Sequence, residues 1–275
     1  MNRETALRWS GYVAMAVVFA IACAMLSNWQ FSRNAERDAE LALVTNNYSQ
    51  APVPFEQLLP GGAFDPADEW RPVELTGRYL AGDGLLVRNR PHGGTSAFEV
   101  LVPFRTDDGR VVVIDRGWVR PGEDQPAPDR VPAPPSGDVT VVGRLQPGEP
   151  AAREGRSAAD GQVPTIDLRL IARETGQTDS MVESAYVVMT QETPQPTERP
   201  NALEDPSADP GPYLSYAIQW ILFAVMGFVF IWYMIRTEIR HRREDEEHGP
   251  RSRTPRNPRR RDRDMEAEDE LLDAR

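Results

Sequence analysis

The sequence predicts an α+β protein in which two transmembrane helices flank an extracytoplasmic, antiparallel β-rich domain, a sheet or small barrel, carrying one short helix. Three observations predict it. Residues 9–32 and 210–235 contain no Asp, Glu, Arg, Lys or His, and each run is long enough to cross a bilayer, which takes ~20 apolar residues. Between them lie several short β-branched runs separated by Gly, Pro and Asp turns, the pattern of closely spaced strands. Only one stretch of that middle region, near residue 170, carries a helical start, face and stop.

The first segment, residues 1–8, holds Arg3 and Arg8 against Glu4. The span 9–32 follows. The middle domain occupies 33–212, the second span 213–235 and a charged tail 236–275. Arg236, Arg240, Arg242 and Arg243 stand just beyond the second span. Basic residues favour the cytoplasmic side, so both termini are expected in the cytoplasm and the domain outside. Trp9, Tyr12 and Trp29, and then Tyr213, Trp220, Trp232 and Tyr233, sit where interfacial aromatic belts sit. Two rival readings of the first span remain. Ala22 and Ala24 give a small-x-small pattern that suits signal cleavage, and Ala20-Ile21-Ala22-Cys23 weakly resembles a lipoprotein signal. Against cleavage, the uncharged stretch exceeds the 7–15 residues of a signal core; against both, the second span already anchors the protein. Cys23 is the single cysteine, so no internal disulfide forms.

All 31 basic residues are arginine, which reads as codon bias. Residues 34–212 carry 16 arginines against 29 acidic residues, a net of −13. No basic stripe with interleaved aromatics appears, so nucleic acid is not an expected partner. The tail holds 12 arginines and 12 acidic residues in segregated blocks. Too few apolar residues remain there to bury, and disorder is expected, with contact to anionic membrane lipid as an option.

Within the domain, residues 33–48 continue the first span helically. Arg71 to Leu80 alternates apolar and polar, with Val73, Leu75 and Tyr79 on one side. Gly82-Asp83-Gly84 is turn chemistry. Strands follow at 85–90, 98–104 and 111–115, the last two joined by the hairpin signal Asp107-Asp108-Gly109. Further strands are expected at 139–145 and 186–189. The helix runs from Asp167 to Thr175, with Leu168, Ile171 and Ala172 on one face and Gly176 at its stop. Proline-rich connectors occupy 121–136 and 193–212, and 147–162 reads as a mobile loop.

Catalytic constellations do not emerge. His92 lies between turn residues and is expected to be solvent-exposed; His241 and His248 belong to the tail. No second histidine or cysteine accompanies His92 in the domain to complete a metal site. No Gly-x-Ser-x-Gly elbow surrounds a serine, and without lysine no phosphate-binding Gly-Lys-Ser/Thr exists. The chain is therefore expected not to be an enzyme.

Four segments carry a family resemblance: Trp29-Gln30-Phe31-Ser32-Arg33, Val73-Glu74-Leu75-Thr76-Gly77-Arg78-Tyr79, Ile114-Asp115-Arg116-Gly117-Trp118-Val119, and Leu214-Ser215-Tyr216-Ala217-Ile218-Gln219-Trp220. In this order, between two spans, they resemble the Surf1 (Shy1) family over about residues 9–240. The resemblance implies a membrane-anchored assembly factor for cytochrome c oxidase, acting as a chaperone in maturation of its catalytic subunit I. It implies contact with other assembly factors, a place in the bacterial plasma membrane, and haem a as a candidate cofactor. The family's His-Leu-x-Tyr-Ala pattern, whose histidine is the candidate axial ligand, reads Tyr213-Leu214-Ser215-Tyr216-Ala217 here.

Trp29 and Arg33 share a helix face, as do Tyr213, Tyr216 and Trp220. Two readings are open for these five residues: a haem or partner surface, or an aromatic belt with a snorkelling arginine. For Arg116 and Trp118 they are a partner contact, with Arg116 exposed and Trp118 the anchor, or a strand end with a core-capping Trp. An alternative function is a scaffold of a respiratory supercomplex, the acidic domain docking a basic partner.

Overall fold

The computed structural model describes residues 3–153 and 159–248. Its elements run α1 (Arg3–Asn47), β1 (Val53–Pro54), α2 (Phe55–Leu58), β2 (Pro72–Tyr79), β3 (Leu85–His92), β4 (Thr95–Thr106), β5 (Val111–Val119), β6 (Val139–Pro147), β7 (Gln162–Val163), α3 (Leu168–Glu174), β8 (Ala185–Thr193) and α4 (Tyr213–His248). Two compact units result: residues 1–33 with 212–275, and residues 34–211.

The first unit is a pair of helices, both long and apolar enough to cross a membrane. They pack antiparallel. The Ser27 hydroxyl donates to the Ala217 carbonyl at 3.0 Å, Phe19 meets Gly227, and Arg8 pairs with Glu238 at 3.6 Å. The less exposed positions of α4 include Tyr213, Ala217, Trp220, Ala224, Gly227, Ile231, Met234 and Glu238. Their four-three spacing is the seam of a left-handed helix pair. On α1 the matching positions are Ala16, Ala20, Cys23, Ser27 and Gln30. Small residues on both seams let the backbones approach closely. Cys23 is buried there, the packing role of a small apolar side chain. α4 runs on to His248, so 236–248, assigned by sequence to a disordered tail, is helical. The remainder of that tail and residues 154–158 of the 147–162 loop lie outside the described residues.

The second unit is a closed barrel. The strand ring runs β2–β6–β8–β5–β4 and returns to β2. Closure is the pairing of Gly77, Arg78 and Tyr79 with Thr106, Arg105 and Phe104. A glycine is required at the joint: φ at Gly77 is +153°, and a Cβ there would stand 2.0 Å from the Arg105 carbonyl oxygen. The barrel is mixed rather than wholly antiparallel. β5 and β8 pair in parallel, because β6, β7 and α3 intervene and let the chain re-enter from the same end. β3 pairs outside the ring on β4, with β7 parallel at its far edge.

Alternation explains two cores from one sheet. Val100, Val102 and Phe104 of β4 point into the barrel with Val73, Leu75, Ile114 and Val141. Leu101 points outward and packs with Val111 and Val113 under Leu168, Ile171 and Ala172 of α3. β4 and β5 are therefore buried on both faces, which is why they read as unbroken apolar runs. The Asp167 carboxylate caps α3, accepting from Arg169 N at 3.1 Å and Leu170 N at 3.4 Å. Phe55 and Leu59 are fully buried in the barrel core. The last turns of α1 dock onto this domain through Asn47, which donates to the carbonyls of Ala67 and Glu69 at 2.7 and 2.8 Å. Arg37 clasps the connector before α4, donating to the carbonyls of Ser207 and Asp209 at 2.9 Å each.

Candidate functional site

The strand end Asp115-Arg116-Gly117-Trp118 organises two polar clusters on opposite sides of the barrel wall. β5 alternates, so Arg116 follows Val112 and Ile114 inward. Its side chain is 0% exposed and its partner Glu192 2%. Nη2 donates to Glu192 Oε1 at 2.7 Å, and Nη1 to the Pro132 carbonyl at 2.9 Å. The Tyr79 hydroxyl donates to Glu192 Oε2 at 2.9 Å, and the guanidinium lies over the Tyr79 ring. Burial first, and then the Glu192 charge, push the Tyr79 phenol well above its ordinary range. The exposed Arg116 of the partner-contact reading is thus not observed. Its inward register and the buried carboxylate opposite hold it inside.

Asp115 points to the other side, toward Glu99, Arg90, Glu149 and Tyr186. Arg90 Nε stands 2.7 Å from Glu99 Oε2, and Nη2 2.5 Å from Glu149 Oε1. Glu149 Oε2 accepts from Ile166 N at 2.9 Å, tying the cluster to the segment before α3. Burial raises the Asp115 carboxyl well above the usual range, and the Glu99 charge raises it further. His92 is not the exposed loop residue expected from its flanking glycines. It ends β3, contacts Glu99 Oε1 at 2.9 Å and stacks on the Trp118 ring at 5.6 Å and 13°.

Gly117 and Trp118 bind the connector that leaves the barrel after β8. Trp118 and Asn201 exchange two backbone hydrogen bonds of 2.8 Å, and the indole N–H donates to the Ala202 carbonyl at 3.1 Å. Gly117 has φ +116°, and a Cβ there would stand 2.1 Å from the Asn201 oxygen. Trp118, 8% exposed, therefore caps the core and clamps this connector.

The helix-pair residues differ in exposure and in the helix face they occupy. Tyr213 and Trp220 lie on the α4 seam that faces α1. Tyr216 flanks that seam, 47% exposed. Trp29, 52% exposed, and Arg33 share a face, but one turned well away from the α1 seam residues Ser27 and Gln30. A flat macrocycle with an axial donor needs its apolar walls and its ligand on one cradle. Among the described residues, no group of three or more His, Cys, Asp or Glu is arranged to hold a metal ion.

Sequence reasoning missed Glu192, Glu99, Arg90 and Asn201. Strict alternation along β5 was the available signal for an inward Arg116, and an inward arginine demands a buried carboxylate. Nothing local marked Glu192, which lies past the expected end of its strand.

The architecture defines a class: a small closed β-barrel inserted between two membrane-capable helices, with an Arg-Gly-Trp strand end latching the exit connector. The SURF1 family model matches residues 17–225. SURF1-like proteins of Mycobacterium tuberculosis and Mycobacterium bovis are each 35% identical over 258 residues, covering 91% of this chain and 93% of theirs. The cytochrome oxidase assembly protein SHY1 of Saccharomyces cerevisiae is 26% identical over 191 residues, covering 63% of this chain and 47% of its own. The chain belongs to the SURF1 family.

Proposed function

We propose that this protein is a membrane-anchored assembly factor for cytochrome c oxidase that acts without catalysis of its own. The observation that carries the reading is family membership together with similarity to a yeast protein named for cytochrome oxidase assembly. The structure supports it in one respect. Two sets of charged groups in the barrel wall are committed to internal pairs, Arg116 with Glu192 and Arg90 with Glu99 and Glu149. That suits a rigid docking body. In this reading the helices hold the protein in the bacterial plasma membrane with both termini in the cytoplasm and the barrel outside. The client is the oxidase catalytic subunit I. Arg116 and Trp118 serve the interaction from inside, by fixing the connector and strand end, rather than by touching the client. In this reading Trp29, Arg33, Tyr213, Tyr216 and Trp220 offer a surface for the partner or for haem a.

The test is a deletion strain complemented with the full chain. The expected outcome is loss of mature oxidase, seen as loss of its haem a absorption, with restoration on complementation. Active oxidase that is present but fails to join larger respiratory assemblies would replace this reading with the scaffold reading.

A further inference from the structure

We infer that the outward face of α4 at its basic end is a binding site for the phosphodiester headgroup of an anionic phospholipid. The arginines there are sorted by face. Arg242 turns toward the α1 side, where it pairs with Glu238 at 3.0 Å; Glu238 also meets Arg8. Arg236, Arg240 and Arg243 follow at four and three residues, so they form one exposed stripe on the opposite side of the helix.

With Trp232 and Tyr233 they line a surface concavity of about 430 Å³. Among the described residues, no carboxylate lines it. Arg240 makes a loose contact with Glu244 at 3.9 Å. Arg236 is steadied over the Trp232 ring at 5.2 Å from its centroid, so less side-chain freedom is lost when its fork meets a phosphate. The apolar continuation of the same face decides the source of the phosphate. Trp232, Tyr233 and Val229 are 57%, 61% and 55% exposed. They give acyl chains a surface that a free phosphate would leave unused. Positive charge at a membrane-proximal helix end explains orientation, but it does not require three arginines to gather on the face away from the helix partner.

The test uses the full chain reconstituted in vesicles of equal phosphatidylglycerol and phosphatidylcholine, extracted in mild detergent, with co-purifying lipids quantified by mass spectrometry. Phosphatidylglycerol is expected in excess. Each basic residue near an anionic surface is worth roughly fivefold in association, so Arg240→Gln lowers the excess roughly fivefold and Arg236→Gln/Arg240→Gln/Arg243→Gln abolishes it. Arg242→Gln leaves it unchanged. Equal retention of the two lipids by the parent, an undiminished excess in the triple variant, or displacement by equimolar inorganic phosphate would each overturn the inference. Oxidase assembly is not read in this experiment, so its result is independent of the proposed function.

Discussion

Removing one half of the ion pair inside the barrel should cost far more than removing both. Arg116 and Glu192 are 0% and 2% exposed, and the carboxylate also accepts from the Tyr79 hydroxyl at 2.9 Å. Glu192→Gln keeps the volume but leaves a guanidinium buried beside a neutral amide. Uncompensated charges of this kind destabilise by about 3–5 kcal/mol. Arg116→Met alone leaves the carboxylate buried with only the Tyr79 hydroxyl, a loss of the same order. The double variant Arg116→Met/Glu192→Gln has no buried charge, and its cost should fall to about 1–2 kcal/mol, since the Tyr79 and Pro132 hydrogen bonds are changed or lost. The assay is denaturant unfolding of the full chain in mild detergent, followed by the fluorescence of Trp70 and Trp118, whose surroundings belong to the barrel unit. Coupling of at least about 2 kcal/mol in the double-mutant cycle is expected. Additive losses, or single losses below about 1 kcal/mol, would refute the claim that this pair is desolvated and mutually dependent.

Gly117→Ala forces a Cβ to within 2.1 Å of the Asn201 oxygen at φ +116°. It should release the connector and destabilise by about 1–3 kcal/mol, with new protease cleavage near residue 201. Asp115 is a carboxyl whose folded-state pKa is raised by burial and by Glu99. The folded state holds its proton more tightly than the unfolded state, so this group's contribution is full at acid pH and is lost as pH rises from the ordinary carboxylate range through the raised value. Asp115→Asn, which can still accept from the Gly117 N–H, should therefore gain stability over the parent at neutral pH and lose that advantage below the usual aspartate range. Denaturation midpoints across pH check this; a constant difference would sink it. For topology, alkaline phosphatase fused after residue 150 should be active and fused after residue 245 inactive; the reverse pattern overturns the orientation.

Much of the barrel was legible because its strands are short, β-branched and broken by turn residues. The cap of α3 was legible in Asp167 and its stop in Gly176, since each signal is local. Closure was not. It depends on Gly77 meeting Arg105, a contact between distant segments that alternation alone does not encode. The parallel β5–β8 pair was hidden for the same reason. His92 shows where local chemistry misleads. Glycines on its C-terminal side signalled a loop, yet β3 carries it to Glu99 and Trp118, and tertiary partners set its environment. The α4 extension through 236–248 was missed because low apolar content was read as disorder. There, i,i+4 pairs such as Glu238 with Arg242 support a helix without a buried face.

The Arg-Gly-Trp strand end explains why a short motif can be stringent without being catalytic. Three consecutive residues face three different demands. Arg116 must point into the barrel and find Glu192 and the Pro132 carbonyl. Gly117 must let another backbone approach closer than any side chain allows. Trp118 must turn its ring to His92 and its N–H to Ala202. Pro132 lies in the connector after β5, and Asn201 and Ala202 lie in the connector after β8, so a single strand end holds both proline-rich segments to the barrel. A change at any of the three loosens a different junction. Restoring function after a change at Arg116 therefore requires a partner change at Glu192. After a change at Gly117, no compensating side chain exists, because the neighbour at 2.1 Å is the Asn201 backbone. Suppressor selection should accordingly recover second-site changes at or around Glu192 for Arg116→Met, and only true reversion for Gly117→Val.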